Sequence, residues 1–168
     1  MKHKKIAYET ITGRGFDLTK LGSVERRLLL RVFKEYQKKP DWTWFAANWG
    51  QRFDKAGLPT ESPVYRICQD LEARLGIAQG KVAPPDYRDY LADLIEEQYG
   101  TRYQFCKATG FDPGHLSRVF SSRSDLSLES LGKLLHVLHA VLVVQPEKSL
   151  RSRSKPERVE RPLAALAN

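Results

Sequence analysis

The sequence predicts an all-α chain: an N-terminal helical subdomain, then a four-helix domain, with a short strand near the C-terminal end. Three observations carry this reading. Apolar residues recur every three or four positions in seven separate segments, the period of a helix that buries one face. Most of these segments open on Ser or Asp and close on Gly or Pro, the residues that cap and stop helices. Only Ala140–Gln145 is a short run rich in β-branched residues, the composition of a strand.

The 168 residues suit one ordinary domain or two small ones, and 41% are hydrophobic before the 11 glycines are counted, enough for a real core. Residues 1–20 carry five basic and two acidic groups around Gly13-Arg14-Gly15, with little apolar periodicity, and are expected to be poorly ordered. A first helix is expected from Ser23, as N-cap, to Lys39, ended by Pro40. Its apolar face is Val24, Leu28, Val32 and Tyr36, with Leu29 and Phe33 alongside. Asp41 caps a second helix to Lys55, with the stripe Trp42, Phe45, Trp49 and Phe53. Ser62-Pro63 opens a third, with Val64, Ile67, Cys68, Leu71 and Leu75 inward and Gly76 at its C-cap. Residues 21–80 thus form a three-helix subdomain, and Gly76–Pro85 a connector stiffened by two prolines.

Residues 81–145 form the second domain. Its first helix starts between Asp86 and Asp89, buries Tyr87, Tyr90, Leu91, Leu94 and Ile95, and ends near Gly100. Two short helices follow, Arg102–Thr109 and Asp112–Phe120, and then a fourth with the stripe Leu128, Leu131, Leu134, Leu135 and Leu138. Two short helices that cross steeply over a tight turn make specific demands. Phe105 faces the core, and Cys106 is small where the second helix crosses. Gly110 allows positive φ, and Phe111, Leu116 and Val119 pin the second helix. Asp112 caps that helix and Pro113 suits its first position, whereas Thr109 stands where an aliphatic residue is more usual.

On these residues, 86–138 resemble the phage-repressor-type (Cro/XRE) helix-turn-helix family. The resemblance is carried by Phe105-Cys106-x-x-Thr109-Gly110-Phe111, Leu116-Ser117-Arg118-Val119 and Leu128-x-x-Leu131-x-x-Leu134-Leu135, about a third of the chain. It implies sequence-specific binding of double-stranded DNA in the major groove by a transcriptional regulator. The second motif helix would present Pro113, Gly114, Ser117, Arg118 and Ser121. Arg118 is the best base reader, since its fork matches guanine O6 and N7, with Ser117, Pro113 and Gly114 as further base contacts. Arg102, His115, Ser121 and Arg123 are expected at the DNA backbone. Pro113 and Gly114 bring no side-chain hydrogen bonds, so discrimination is expected to lean on DNA shape.

The charge agrees with a polyanionic partner. The chain is +8 overall, with +3 in residues 1–20, +3 in 21–80, −1 in 81–145 and +3 in the basic, flexible tail 146–168. The excess therefore lies outside the reading unit, where it would attract phosphates non-specifically. Pairing of the 140–145 strand with its two-fold mate would make the homodimer that a palindromic operator requires; packing back into its own protomer is the other option. The alternative function is an antitoxin that autoregulates its operon and binds a toxin through residues 21–80, with the aromatic segment Trp42–Phe53 as the surface. No nucleophile–base pair, phosphate loop or metal spacing points to an enzyme, a cofactor or a metal, and His136 and His139 lack further ligands nearby. Cys68 and Cys106 are expected as buried, reduced thiols. No apolar run approaches the roughly 18 residues a membrane span needs, and no apolar segment follows the basic N-terminus. A cytoplasmic protein without a membrane partner is expected.

Overall fold

A computed structural model describes residues 6–144 together with Leu163 and Leu166. The chain is mostly helical. In order it comprises β1 (Ala7–Glu9), β2 (Gly15–Asp17), a 3-10 turn (Leu18–Lys20), α1 (Ser23–Lys38), α2 (Trp42–Ala56), α3 (Pro63–Ala78), α4 (Tyr87–Tyr99), α5 (Arg102–Thr109), α6 (Pro113–Phe120) and α7 (Leu128–Val137). The described residues divide into two compact units, 6–84 with Leu163 and Leu166, and 85–144.

The first unit packs α1, α2 and α3 around Leu29, Val32, Phe45, Phe53, Ile67, Cys68 and Leu71. The aromatic stripe of α2 faces inward as expected: Phe45, Trp49 and Phe53 are buried. Trp49 and Phe53 both meet Tyr65 edge-on, at 5.5 and 5.1 Å between ring centroids. Each fully buried side chain of this size contributes roughly 1.5–3 kcal/mol. The N-cap of α1 is Gly22 rather than Ser23. Glu25 explains the shift: its carboxylate accepts the Gly22 N–H at 2.9 Å and the Ser62 hydroxyl at 2.5 Å. One side chain thus caps α1 and ties it to the start of α3. Gln79 does the same at the other end, accepting the Trp42 N–H and donating to the Pro40 carbonyl.

The N-terminal segment departs from expectation. Instead of being poorly ordered, residues 7–17 form an antiparallel hairpin with Tyr8 opposite Phe16. A polar loop closes it: the Thr10 N–H donates to the Arg14 carbonyl, and Gly13 takes φ +91°. Tyr8 and Leu18 are fully buried, so two apolar anchors order a stretch with no helical period. Beneath the hairpin lies Asp70, buried on α3. It accepts from the Tyr8 hydroxyl, the Ile11 N–H at 2.6 Å and Arg74 Nε at 2.7 Å. Arg74 also donates to the Glu9 carbonyl. A buried carboxylate with three donors is stable, whereas one stripped of them would be costly.

The unit boundary also moves. Residues 81–84 belong to the first unit, because the N–H groups of Lys81 and Val82 return to the Gly76 carbonyl. Gly76 is not a cap, since α3 runs two residues past it. A Cβ there would stand 2.5 Å from Val82 Cγ2, so the glycine is needed for close approach. At the far end, Leu163 and Leu166 sit in the core of the first unit. These two tail residues are structural, and the rest of the expected flexible segment 146–168 lies outside the described residues.

The second unit packs Leu91, Ile95, Phe105, Cys106, Leu116, Leu134 and Leu138 together. Two residues expected in its apolar stripes are exposed, Tyr90 at 43% and Leu128 at 82%. Residues 140–144 form no strand, and Val141 to Val144 are exposed; Gln145 lies outside the described residues. Among the described residues the sheet is the N-terminal hairpin.

Candidate nucleic-acid interface

The pair α5–α6 is set by local chemistry at each end. The Thr101 hydroxyl caps α5 by accepting the Gln104 N–H at 3.1 Å. Gly110 stops α5 in the left-handed region, φ +79°, with its N–H on the Cys106 carbonyl. Asp112 then caps α6 by accepting the His115 N–H, and Pro113 occupies the first turn. Three residues therefore turn the chain between two eight-residue helices. Thr109 fits because its hydroxyl donates to the Phe105 carbonyl at 2.7 Å, satisfying it within the helix.

Packing fixes which face of α6 is free. Leu116 and Val119 are buried, and Phe105 contacts Tyr99 edge-on at 5.0 Å and Phe111 at 5.5 Å. Cys106 is 7% exposed, in keeping with a close helix crossing. Both thiols are free and buried. Burial pushes the Cys68 thiol up to about 12. Burial, helped by the charge of Asp112, also raises the Cys106 thiol.

The opposite face of α6 presents Pro113, Gly114, Ser117, Arg118 and Ser121, all exposed. A Cβ on Gly114 would come within 3.6 Å of Arg118 Nη1, so the Arg118 guanidinium lies along the open surface that the glycine leaves. Ser121 Oγ donates to the Arg118 carbonyl at 3.2 Å. The backbone N–H groups of Arg123 and Ser124 converge on the same carbonyl, at 2.8 and 3.3 Å. Ser122 takes φ +57° to allow this, which places Arg123 just beyond the helix end. Arg102 reaches the motif differently: its guanidinium stacks 5.2 Å over the Phe120 ring. His115 is half-buried, the least accessible of the candidates.

The structure thus gathers Ser117, Arg118, Pro113 and Gly114 on one face, with Ser121 and Arg123 at its end. Residues 100–124 hold Arg102, Lys107, Arg118 and Arg123 against Asp112 alone. The acids Asp89, Asp93, Glu96 and Glu97 are on α4. Two features were not read from the sequence. Tyr103 is 73% exposed, off the Phe105–Cys106 stripe, a position its spacing already implied. Arg88 pairs with Asp86 at 2.6 Å and with Asp125, anchoring the loop before α7; nothing local in the sequence signals that long-range partner.

Comparison with family models, curated proteins and solved structures finds no match to this chain. Among the described residues, no cluster of three or more His, Cys, Asp or Glu could hold a metal, and no helix is long and apolar enough to cross a membrane.

Proposed function

We propose that the chain is a sequence-specific double-stranded DNA-binding transcriptional regulator of the cytoplasm, reading the major groove with α6. One observation carries this: Arg118, Ser117, Pro113 and Gly114 share an exposed face of a short helix whose other face is pinned by Leu116 and Val119. A helix held in this way is the element that enters a major groove in helix-turn-helix proteins, and the resemblance to the phage-repressor type supports the same use. Arg118 is the base reader, with Ser117, Pro113 and Gly114 beside it. Arg102, His115, Ser121 and Arg123 contact the backbone. The protein acts as a homodimer, which has the two-fold symmetry that a palindromic operator requires, with the exposed Val141–Val144 segment as the surface offered to the second copy. An antitoxin role ranks second. The aromatic side chains that would have formed its toxin-binding surface, Phe45, Trp49 and Phe53, are buried in their own unit.

Selection of bound sequences from a random duplex pool tests the proposal, and an enriched palindrome is the expected result. On the enriched site Arg118→Ala should cost roughly 1–3 kcal/mol and relax one base position. Equal losses on cognate and scrambled DNA would show that Arg118 reads no base. Sedimentation at binding concentrations should give a dimer mass; a monomer refutes the homodimer.

A further inference from the structure

The first unit carries a basic groove that the reading helix does not explain. A cavity of about 370 Å³ opens between α1 and α2, lined by Val24, Arg27, Leu28, Arg31, Arg52, Lys55 and Ala56. Four of these seven residues are cations and none is an acid. Its half-buried neighbour Glu35 holds Arg52 at 2.7 Å, with Arg31 at 3.8 Å. Arg27 and Lys55 are exposed and have no ion-pair partner among the described residues. The row continues along α1, where Arg27, Arg31, Lys34 and Lys38 are all exposed. Their spacings of four, three and four place them on one helix face.

We propose that this groove, with the row along α1, grips the phosphate backbone of duplex DNA independently of sequence. Three features favour that partner. The row from Arg27 to Lys38 extends about 16 Å at 1.5 Å per residue, a length over which one strand presents about five phosphates. Three of the four groove cations are arginines, whose planar forks match phosphate oxygens. The groove offers Val24, Leu28 and Ala56 but no aromatic ring, so it lacks the stacking platform that single strands use. Glu35 acts on the protein side, holding Arg52 at the groove wall.

The test uses the full chain and a 20-base-pair duplex of scrambled sequence. The triple variant Arg27→Gln, Lys34→Gln, Lys55→Gln should flatten the slope of log affinity against log salt by roughly 2–3, near 0.9 per lost phosphate contact. Arg27→Lys with Arg31→Lys keeps the charge and should keep the slope. Val24→Glu, which places a carboxylate in the groove without removing a cation, should weaken duplex binding should the triple variant fail to fold. An unchanged slope in a folded triple variant overturns the proposal. So does a loss confined to phosphatidylcholine–phosphatidylserine vesicles, which would identify a lipid surface instead. The proposal stands apart from the reading by α6. Failure of that reading appears as an unaltered cognate-to-scrambled ratio in Arg118→Gln, and the slope measured on scrambled duplex does not depend on it.

Discussion

The two units are both helical, but they are built on opposite principles. The first has a larger core, with Phe33, Phe45, Trp49 and Phe53 among its aliphatic side chains, closed by a hairpin beneath which lies a carboxylate with three donors. The second has a smaller core, of leucines and Ile95 around Phe105, and its polar chemistry sits at helix ends and on the face of α6. A unit held by buried, mutually satisfied groups tolerates a basic surface, since its stability does not depend on that surface. A unit with two eight-residue helices depends on its caps and its turn. The difference is open to separate measurement, because Trp42, Trp44 and Trp49 all lie in the first unit. Tryptophan fluorescence reports that unit alone, and circular dichroism reports both.

The largest expected effect is in the second unit. Cys106→Glu puts an unpaired carboxylate at a helix crossing and should cost about 4 kcal/mol or more. Helical signal should fall while the fluorescence melt stays in place. A well-folded variant would show that α6 does not cross at Cys106. Asp70→Asn is the matching cut in the first unit. It weakens the acceptor shared by Tyr8, Ile11 and Arg74, and should lower the fluorescence melt by the equivalent of about 3 kcal/mol. Loss of less than about 1 kcal/mol would mean that the hairpin, and not the buried carboxylate, supplies the first unit's order.

How far the sequence exposed this contrast depends on the range of the interactions. Helix periods, the caps at Asp41, Ser62 and Asp112, and the turn at Gly110 are local and were legible, except that Val24, Tyr90 and Leu128, expected on apolar faces, are exposed. The hairpin was not, because its strands are three residues each and its order comes from Tyr8 reaching Asp70, 62 positions away. Gly76 misled for the same reason: a glycine near a helix end has the composition of a cap, and only the return of Val82 shows it to be a packing glycine. At the candidate interface, the exposed face of α6 followed from its buried face. The stacking of Arg102 on Phe120 did not, since the pair is 18 positions apart with a turn between.

Alkali should widen the difference between the units. Burial, then the charge of Asp70, holds the Tyr8 hydroxyl well above its ordinary value of 10.0, and Cys68 stands at about 12 against 9.0. Both groups are neutral when folded and titrate earlier when unfolded. Their stabilisation is therefore complete below about pH 9 and is lost as pH rises through the folded values, at up to about 1.4 kcal/mol per pH unit for each group. The fluorescence melt should fall steadily above pH 9. Tyr8→Phe should make that limb shallower, at the cost of one hydrogen bond to Asp70. A limb of unchanged steepness would place its origin outside the Tyr8–Asp70 pair.

The smallest effect separates two uses of glycine. At Gly110 a Cβ would meet nothing within 4 Å, yet φ is +79°. Gly110→Ala therefore carries only the backbone cost of the left-handed region, about 1 kcal/mol, and should lower the helical melt without moving the fluorescence. Gly76→Ala, by contrast, forces Val82 away from α3 and should act on the fluorescence melt alone, by about 1–3 kcal/mol. If Gly110→Ala moved the fluorescence melt as well, the units would unfold together, and stability measured in either could no longer be assigned to its own core.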